Sequence, residues 1–190
     1  LLEDEPTTPT GIHSVHVGGQ PDGVEIEVYC DMDIDGGGWT LVGRSVGSAA
    51  QVPFGWFSST GLVDDDLAPY SLDAGAALLD FSEVLLGNYT TGKTWGTNVF
   101  RIQVPEDFLY IYTDAPVELT PVTVQGPCAP TGGPSHLRSW GFTELGDRFW
   151  FNDDVLDLTD GLEWAFLDTD SGGCTTGGDI TSGSGMVFVR

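Results

Sequence analysis

Hard oxygen donors crowd one part of this chain. Asn152, Asp153, Asp154 and Asp157 fall in "FNDDVLD", and Asp168 and Asp170 follow in "LDTDSGGC". Carboxylates and amide carbonyls at that density are what Ca2+ gathers, because it fills about six to eight positions with oxygen. Neither stretch follows the EF-hand loop pattern, and in a chain with 29 Asp plus Glu a solvated acidic loop accounts for the same residues. Trp140, Trp150 and Trp164, with Phe151, lie near these donors in sequence. An aromatic plate beside a cation or a few polar groups is an arrangement that binds sugars, although most of the six tryptophans must be core.

Signals for covalent chemistry are thin. "GRSVG", residues 43–47, fits the G-x-S-x-G nucleophile pattern, which needs a tight strand-to-helix turn at Ser45. The residues that follow carry Pro53 and Gly55 without helical periodicity, and the one downstream histidine is His136. His13 and His16 are three apart, which on a strand puts them on opposite faces and weakens them as a metal pair. Cys30, Cys128 and Cys174 show no C-x-x-C spacing, which argues against zinc or thioredoxin-like chemistry. One disulfide plus a leftover thiol is the simplest arithmetic, and it favours an extracellular address. Asn88-Tyr89-Thr90 is an N-glycosylation acceptor in a eukaryotic source. The run from Asp64 to Asp66 is expected to face solvent.

These residues need a scaffold, and the pattern of apolar positions supplies one. In "GVEIEVYCDM", Val24, Ile26 and Val28 alternate with Glu25, Glu27 and Tyr29, as in a half-buried strand. "WTLVGRS" continues as a second strand, and the intervening "DIDGGG" tolerates the positive φ of a reversing turn. Gly36, Gly37 and Gly38 let the backbone turn without Cβ clashes, so that Trp39 can swing into the core. "SLDAGAALLDFSEVLLG", residues 71–87, reads as the best helix, capped at Asp73 and stopped at Gly87. "NVFRIQV", "DFLYIYT" and "VELTPVTV" read as strands, and the closing "GMVFVR" as a buried terminal one. Residues 1–10, "LLEDEPTTPT", read as a linker or flexible arm, and residues 11–190 as one recognition domain.

Length and charge narrow the class further. The chain has 190 residues, 40% of them apolar, with 27 glycines, as expected of a loop-rich globular unit. One lysine and five arginines against 29 acids give a net charge of −23. Nucleic acid and anionic membranes are therefore poor partners, since phosphates need clustered Lys and Arg. No apolar run reaches the ~18 residues of a membrane span, and the first residue is not Met, as in a processed or excised segment.

The stretch "VYCDMDIDGGGWTLV", residues 28–42, resembles the opening signature of fibrinogen-related domains, the family of ficolins, tachylectins and intelectins. "GIHSVHV" resembles the strand before that signature, "FSEVLLGN" a Leu-Gly-Asn segment, and "VFRIQV" the strand after it. "FWFNDDVLD" stands where the family carries its Asp-rich calcium loop. The resemblance implies an α+β, β-rich fold with a central twisted sheet, few short helices and long irregular C-terminal loops. It also implies a non-catalytic, secreted or surface-displayed lectin that binds carbohydrate or a related surface ligand with Ca2+. Ca2+ would fall to Asn152, Asp153, Asp154, Asp157, Asp168 and Asp170, and ligand to Trp140, Trp150 and Trp164.

The departures are informative too. The family's upstream partner for Cys30 is missing, which leaves Cys30 free, paired outside this segment or differently bridged. Cys128 with Cys174 is the disulfide expected beside the resemblance. "DTDSGGC" lacks the His and Asn of intelectin sugar sites, so that ligand mode is not carried over. The chain is shorter than animal members, as in a trimmed, microbial version. The alternative reading, a structural or adhesive subunit of an extracellular fibre, draws on the proline-bearing arm and an unpaired Cys30.

Overall fold

The computed structural model describes residues 8–17, 23–45, 59–77, 79–90, 93–105, 117–119, 121–126, 135–138, 150–152 and 185–190. In chain order the strands are β1 (Gly11–His16), β2 (Glu25–Asp31), β3 (Trp39–Ser45), β4 (Tyr70–Ser71), β5 (Glu83–Thr90), β6 (Thr94–Gln103), β7 (Val117–Leu119), β8 (Pro121–Gln125), β9 (Ser135–Arg138), β10 (Trp150–Asn152) and β11 (Gly185–Val189). The molecule is β-rich and antiparallel. Its helical content among the described residues is confined to short turns such as the 3-10 turn Ile34–Gly36.

Eight strands make one sheet in the order β1-β2-β3-β11-β5-β6-β8, with β4 also paired to β3. The alternation at 24–29 produces β2 as expected, except that Val24 lies ahead of the strand and is exposed. β2 and β3 pair through Cys30↔Thr40 and Asp31↔Trp39 across the glycine turn. Asp35, Gly36, Gly37 and Gly38 all have positive φ, at 47°, 88°, 76° and 80°. A Cβ on Gly37 would meet the Met32 carbonyl oxygen at 2.3 Å, so glycine is required there. Trp39 is completely buried, and its Nε1 donates to the Ile34 carbonyl at 3.1 Å.

The C-terminal strand runs through the middle of this sheet. β11 lies between β3 and β5, pairing Val187 with Gly43 on one side and with Leu86 on the other, and all five of its residues are buried. Val84, Leu85 and Leu86 of β5, Val99, Phe100 and Ile102 of β6, and Met186, Val187 and Phe188 of β11 are fully buried. Phe188 meets the Tyr29 ring edge-on, with centroids 6.1 Å apart, and the Trp95 ring at 5.1 Å.

Two expectations are corrected here. Residues 71–87 do not form a helix. Asp73 caps one turn, accepting from Ala76 N at 2.7 Å, and the chain then enters β5. The reason is burial on both faces. A central strand covered on both sides reads as a continuous apolar run, so Val84-Leu85-Leu86 shows no period-two alternation to set it apart from a helix. "VELTPVTV" is also two strands rather than one. β7 joins a second, three-stranded sheet in the order β10-β9-β7, whereas β8, starting at Pro121, joins the edge of the large sheet beside β6. Proline is tolerated at such a strand start, where its missing N–H breaks no ladder. The expected strand at 107–113 lies outside the described residues.

Candidate functional site

The signature turn is organised by one buried carboxylate. Asp31, 6% exposed, accepts from the backbone N–H groups of Asp33 and Ile34 at 3.0 Å and, through its other oxygen, from Trp95 Nε1 at 2.8 Å. Its lone pairs are thus spent on the β2–β3 turn and on β6, as buried polar groups require. Thr10 ties the entry to β1 onto the same turn. Its hydroxyl donates to Asp33 Oδ2 at 2.6 Å and accepts from Met32 N at 2.8 Å.

A second network clamps this turn to the chain's last residue. The Arg190 guanidinium donates to Glu83 Oε2 through Nε, at 2.8 Å, and Nη2, at 2.5 Å. Through Nη1 it donates to the carbonyls of Asp35 and Gly37 at 3.0 and 2.8 Å. It also lies 4.2 Å from the centroid of the Trp39 ring, in cation–π range. Arg101 adds ion pairs with Asp35 at 3.0 Å and Glu83 at 3.6 Å. Burial of Glu83 favours its neutral form. Hydrogen bonds from Arg190 and Gln103, with the charges of Arg190 and Arg101, outweigh that and hold its pKa below the ordinary value. A depression of about 350 Å3 opens beside this clamp, lined by Asp80, Phe81, Ser82 and Arg190.

The third network was not foreseen from the sequence. Arg44, in β3, is completely buried. Its guanidinium donates to the carbonyls of Ala68 (3.0 Å), Val63 (3.4 Å), Leu62 (3.2 Å) and Asp65, and it pairs with Asp66 at 3.5 Å. Carbonyls converging from one acidic loop are what a Ca2+ site provides, and here an internal guanidinium occupies the focus. Lys93, 8% exposed and at φ 56°, pairs with the same Asp66 and lies 5.3 Å from the Tyr29 ring centroid. Asp64 and Asp65 face solvent as expected, but Asp66 is half-buried between two cations. Burial pushes the Tyr70 phenol, 5.8 Å under Arg44, up to about 12 against the opposing pull of that charge.

The small sheet carries two of the candidate binding residues. Trp150 and Asn152 begin and end β10, opposite Arg138 and His136 of β9. Glu118 of β7 faces the same His136, so the register sets Glu118, His136 and Asn152 in one row, beside an apolar row of Val117, Leu137 and Phe151. Trp140, Trp164, Asp153, Asp154, Asp157, Asp168, Asp170, Cys128 and Cys174 lie outside the described residues. Among the described residues there is no group of three or more His, Cys, Asp or Glu that could hold a metal ion, and no helix long and apolar enough to cross a membrane.

The remaining candidates take structural positions. Gly43, Arg44 and Ser45 are ladder residues of β3, opposite Val187, Met186 and Gly185. His13 and His16 fall on opposite faces of β1, and His13 Nε2 is the donor in a 2.9 Å hydrogen bond to the Pro9 carbonyl. Cys30 is a free thiol, 2% exposed, and burial raises its pKa against a hydrogen bond with Thr40 that lowers it. Within the folded sheet that thiol offers no cross-link to a second chain. No protein-family model matches the chain, and no curated protein matches it.

Proposed function

We propose that this chain is a fibrinogen-like, non-catalytic recognition domain of the extracellular space, binding carbohydrate or a related cell-surface ligand with the help of Ca2+. The observation that carries this reading is where the large sheet leaves its chain. β8 ends at the sheet edge at Gln125, and the chain returns as β11 in the sheet centre at Gly185. The stretch between them holds Trp140, Trp150, Trp164 and the oxygen donors from Asn152 to Asp170. Residue types suited to ligand and cation are thus concentrated between two anchored strands, the arrangement in which a rigid scaffold positions functional segments. The signature turn supports the family half of the reading, since Trp39 is interior and Asp31 organises the reversal.

Calorimetric titration with Ca2+ after chelator treatment tests the cation. Saturable binding, with a melting temperature raised by mass action, is expected. An absence of both heat and melting shift at millimolar Ca2+ would remove Ca2+ from the account.

A further inference from the structure

We infer that the polar face of the small sheet β10-β9-β7 is the saccharide-binding surface, with Trp150 as its stacking plate, Glu118, His136, Arg138 and Asn152 as its hydrogen-bonding groups, and an uncharged sugar ring as its ligand. This rests on the proposed recognition function and adds the place of its site and the charge class of its ligand.

The register fixes which residues share a face. β9 is the middle strand, and Glu118↔His136↔Asn152 is one cross-strand row. Arg138↔Trp150 lies two residues further along β9 and two back along β10. Residues directly opposite each other, and residues two apart on one strand, lie on the same face of an antiparallel sheet, so these five belong together. Val117, Leu119, Ser135, Leu137 and Phe151 fall on the other face. The first face holds both charged residues of the sheet and the second all its aliphatic ones, the division of a sheet with one face on a core and one in water. Trp150, Arg138, His136 and Asn152 mark the corners of a backbone block of about 5 by 7 Å, room for one sugar ring, with Glu118 beyond His136 on β7.

Composition selects the ligand. A pyranose offers an apolar C–H face, which an aromatic ring covers, and hydroxyls that both donate and accept. Arg138 donates, Glu118 accepts, and Asn152 and a neutral His136 do both. The face carries one guanidinium and one carboxylate, which cancel, in a chain of net charge −23. An anionic sugar would need an excess of cationic donors to be held against that field, and a cationic one would meet Arg138. An uncharged ring meets neither opposition. Asn152 is thereby given to the ligand, and the carboxylates from Asp153 onward are left to Ca2+.

A glycan array probed in a concentration series with the parent chain and four variants, all with Ca2+ present, tests the inference. Trp150→Ala should weaken binding to uncharged glycans by at least about tenfold. Trp150→Phe should weaken it less, because a ring remains, and Arg138→Gln and Asn152→Ala by about three- to tenfold each. Melting temperatures within about 2 °C of the parent separate lost contacts from lost folding. Should Trp150→Ala melt lower, Arg138→Gln and Asn152→Ala decide. Parent-like binding by the variants that keep their melting temperature overturns the placement of the site, and parent binding confined to charged glycans overturns the ligand class. Both results leave recognition standing. A parent chain that binds no glycan on the array removes the recognition reading itself, and this inference with it.

Discussion

Replacing Arg44 by methionine keeps a buried stem of similar length and deletes the guanidinium. Four carbonyls of residues 62–68 and the Asp66 carboxylate then lose their common donor. The losses are not additive. Leu62 and Asp65 are exposed, and water can reach their carbonyls once the loop shifts, whereas Val63 is 6% exposed and Asp66 keeps Lys93. The expected cost is that of breaking one buried charge pair, about 3–5 kcal/mol. In a chain of this size ~1 kcal/mol moves the melting temperature by ~2–4 °C, so Arg44→Met should melt about 6–20 °C lower. Urea unfolding gives the free energy, and amide exchange should show protection lost at Thr60 and Ser71, whose mutual hydrogen bonds close the loop. Arg44→Lys should fall between, because an ammonium cannot span the same set of carbonyls. A loss below ~1 kcal/mol for Arg44→Met, with loop protection unchanged, would refute the view that this guanidinium holds the loop.

Three further outcomes follow from the same geometry. Gly37→Ala sets a Cβ 2.3 Å from the Met32 carbonyl and should cost more than ~3 kcal/mol in urea unfolding, whereas Gly36→Ala, with 3.7 Å to Arg190 Nη1, should cost only the ~1–2 kcal/mol of positive φ. Trp95→Phe leaves Asp31 Oδ2 without its donor and should destabilise by about 1–3 kcal/mol, measured against a Trp95→Tyr control that keeps the ring volume closer. Glu83 has a depressed folded pKa, so its contribution is present above the unfolded value of about 4.3 and is lost as pH falls through the lower folded value. Melting temperature measured downward from pH ~5 should therefore drop less steeply in Glu83→Gln than in the parent protein, and parallel curves would contradict that linkage.

The residues differ in how openly they announced their places. The β2–β3 turn was legible because its cause is local: three glycines and flanking Asp residues accept positive φ whatever the rest of the chain does. The same holds for the alternation of β2 and the apolar run of β11. The position of β11 between β3 and β5 was not legible, because antiparallel pairing across such a sequence distance leaves no periodic mark. β5 was misread for the opposite reason, its apolar residues being too dense for period two to show. Arg44 had a faint signal, a lone cation ending an apolar strand in an acid-rich chain, but its acceptors are backbone carbonyls that no sequence pattern identifies. The single lysine, Lys93, was equally silent until the β5–β6 hairpin and the acidic loop were seen to meet through Asp66. That Cys30 is buried, and bridged to no other cysteine among the described residues, showed only once the sheet around it was placed.

A glycan array probed with the whole chain, with Ca2+ and again after chelation, reaches the heart of the account. The prediction is binding to at least one glycan that is lost with chelator and restored by Ca2+. An array blank under both conditions would contradict carbohydrate recognition, and undiminished binding after chelation would contradict the part given to Ca2+.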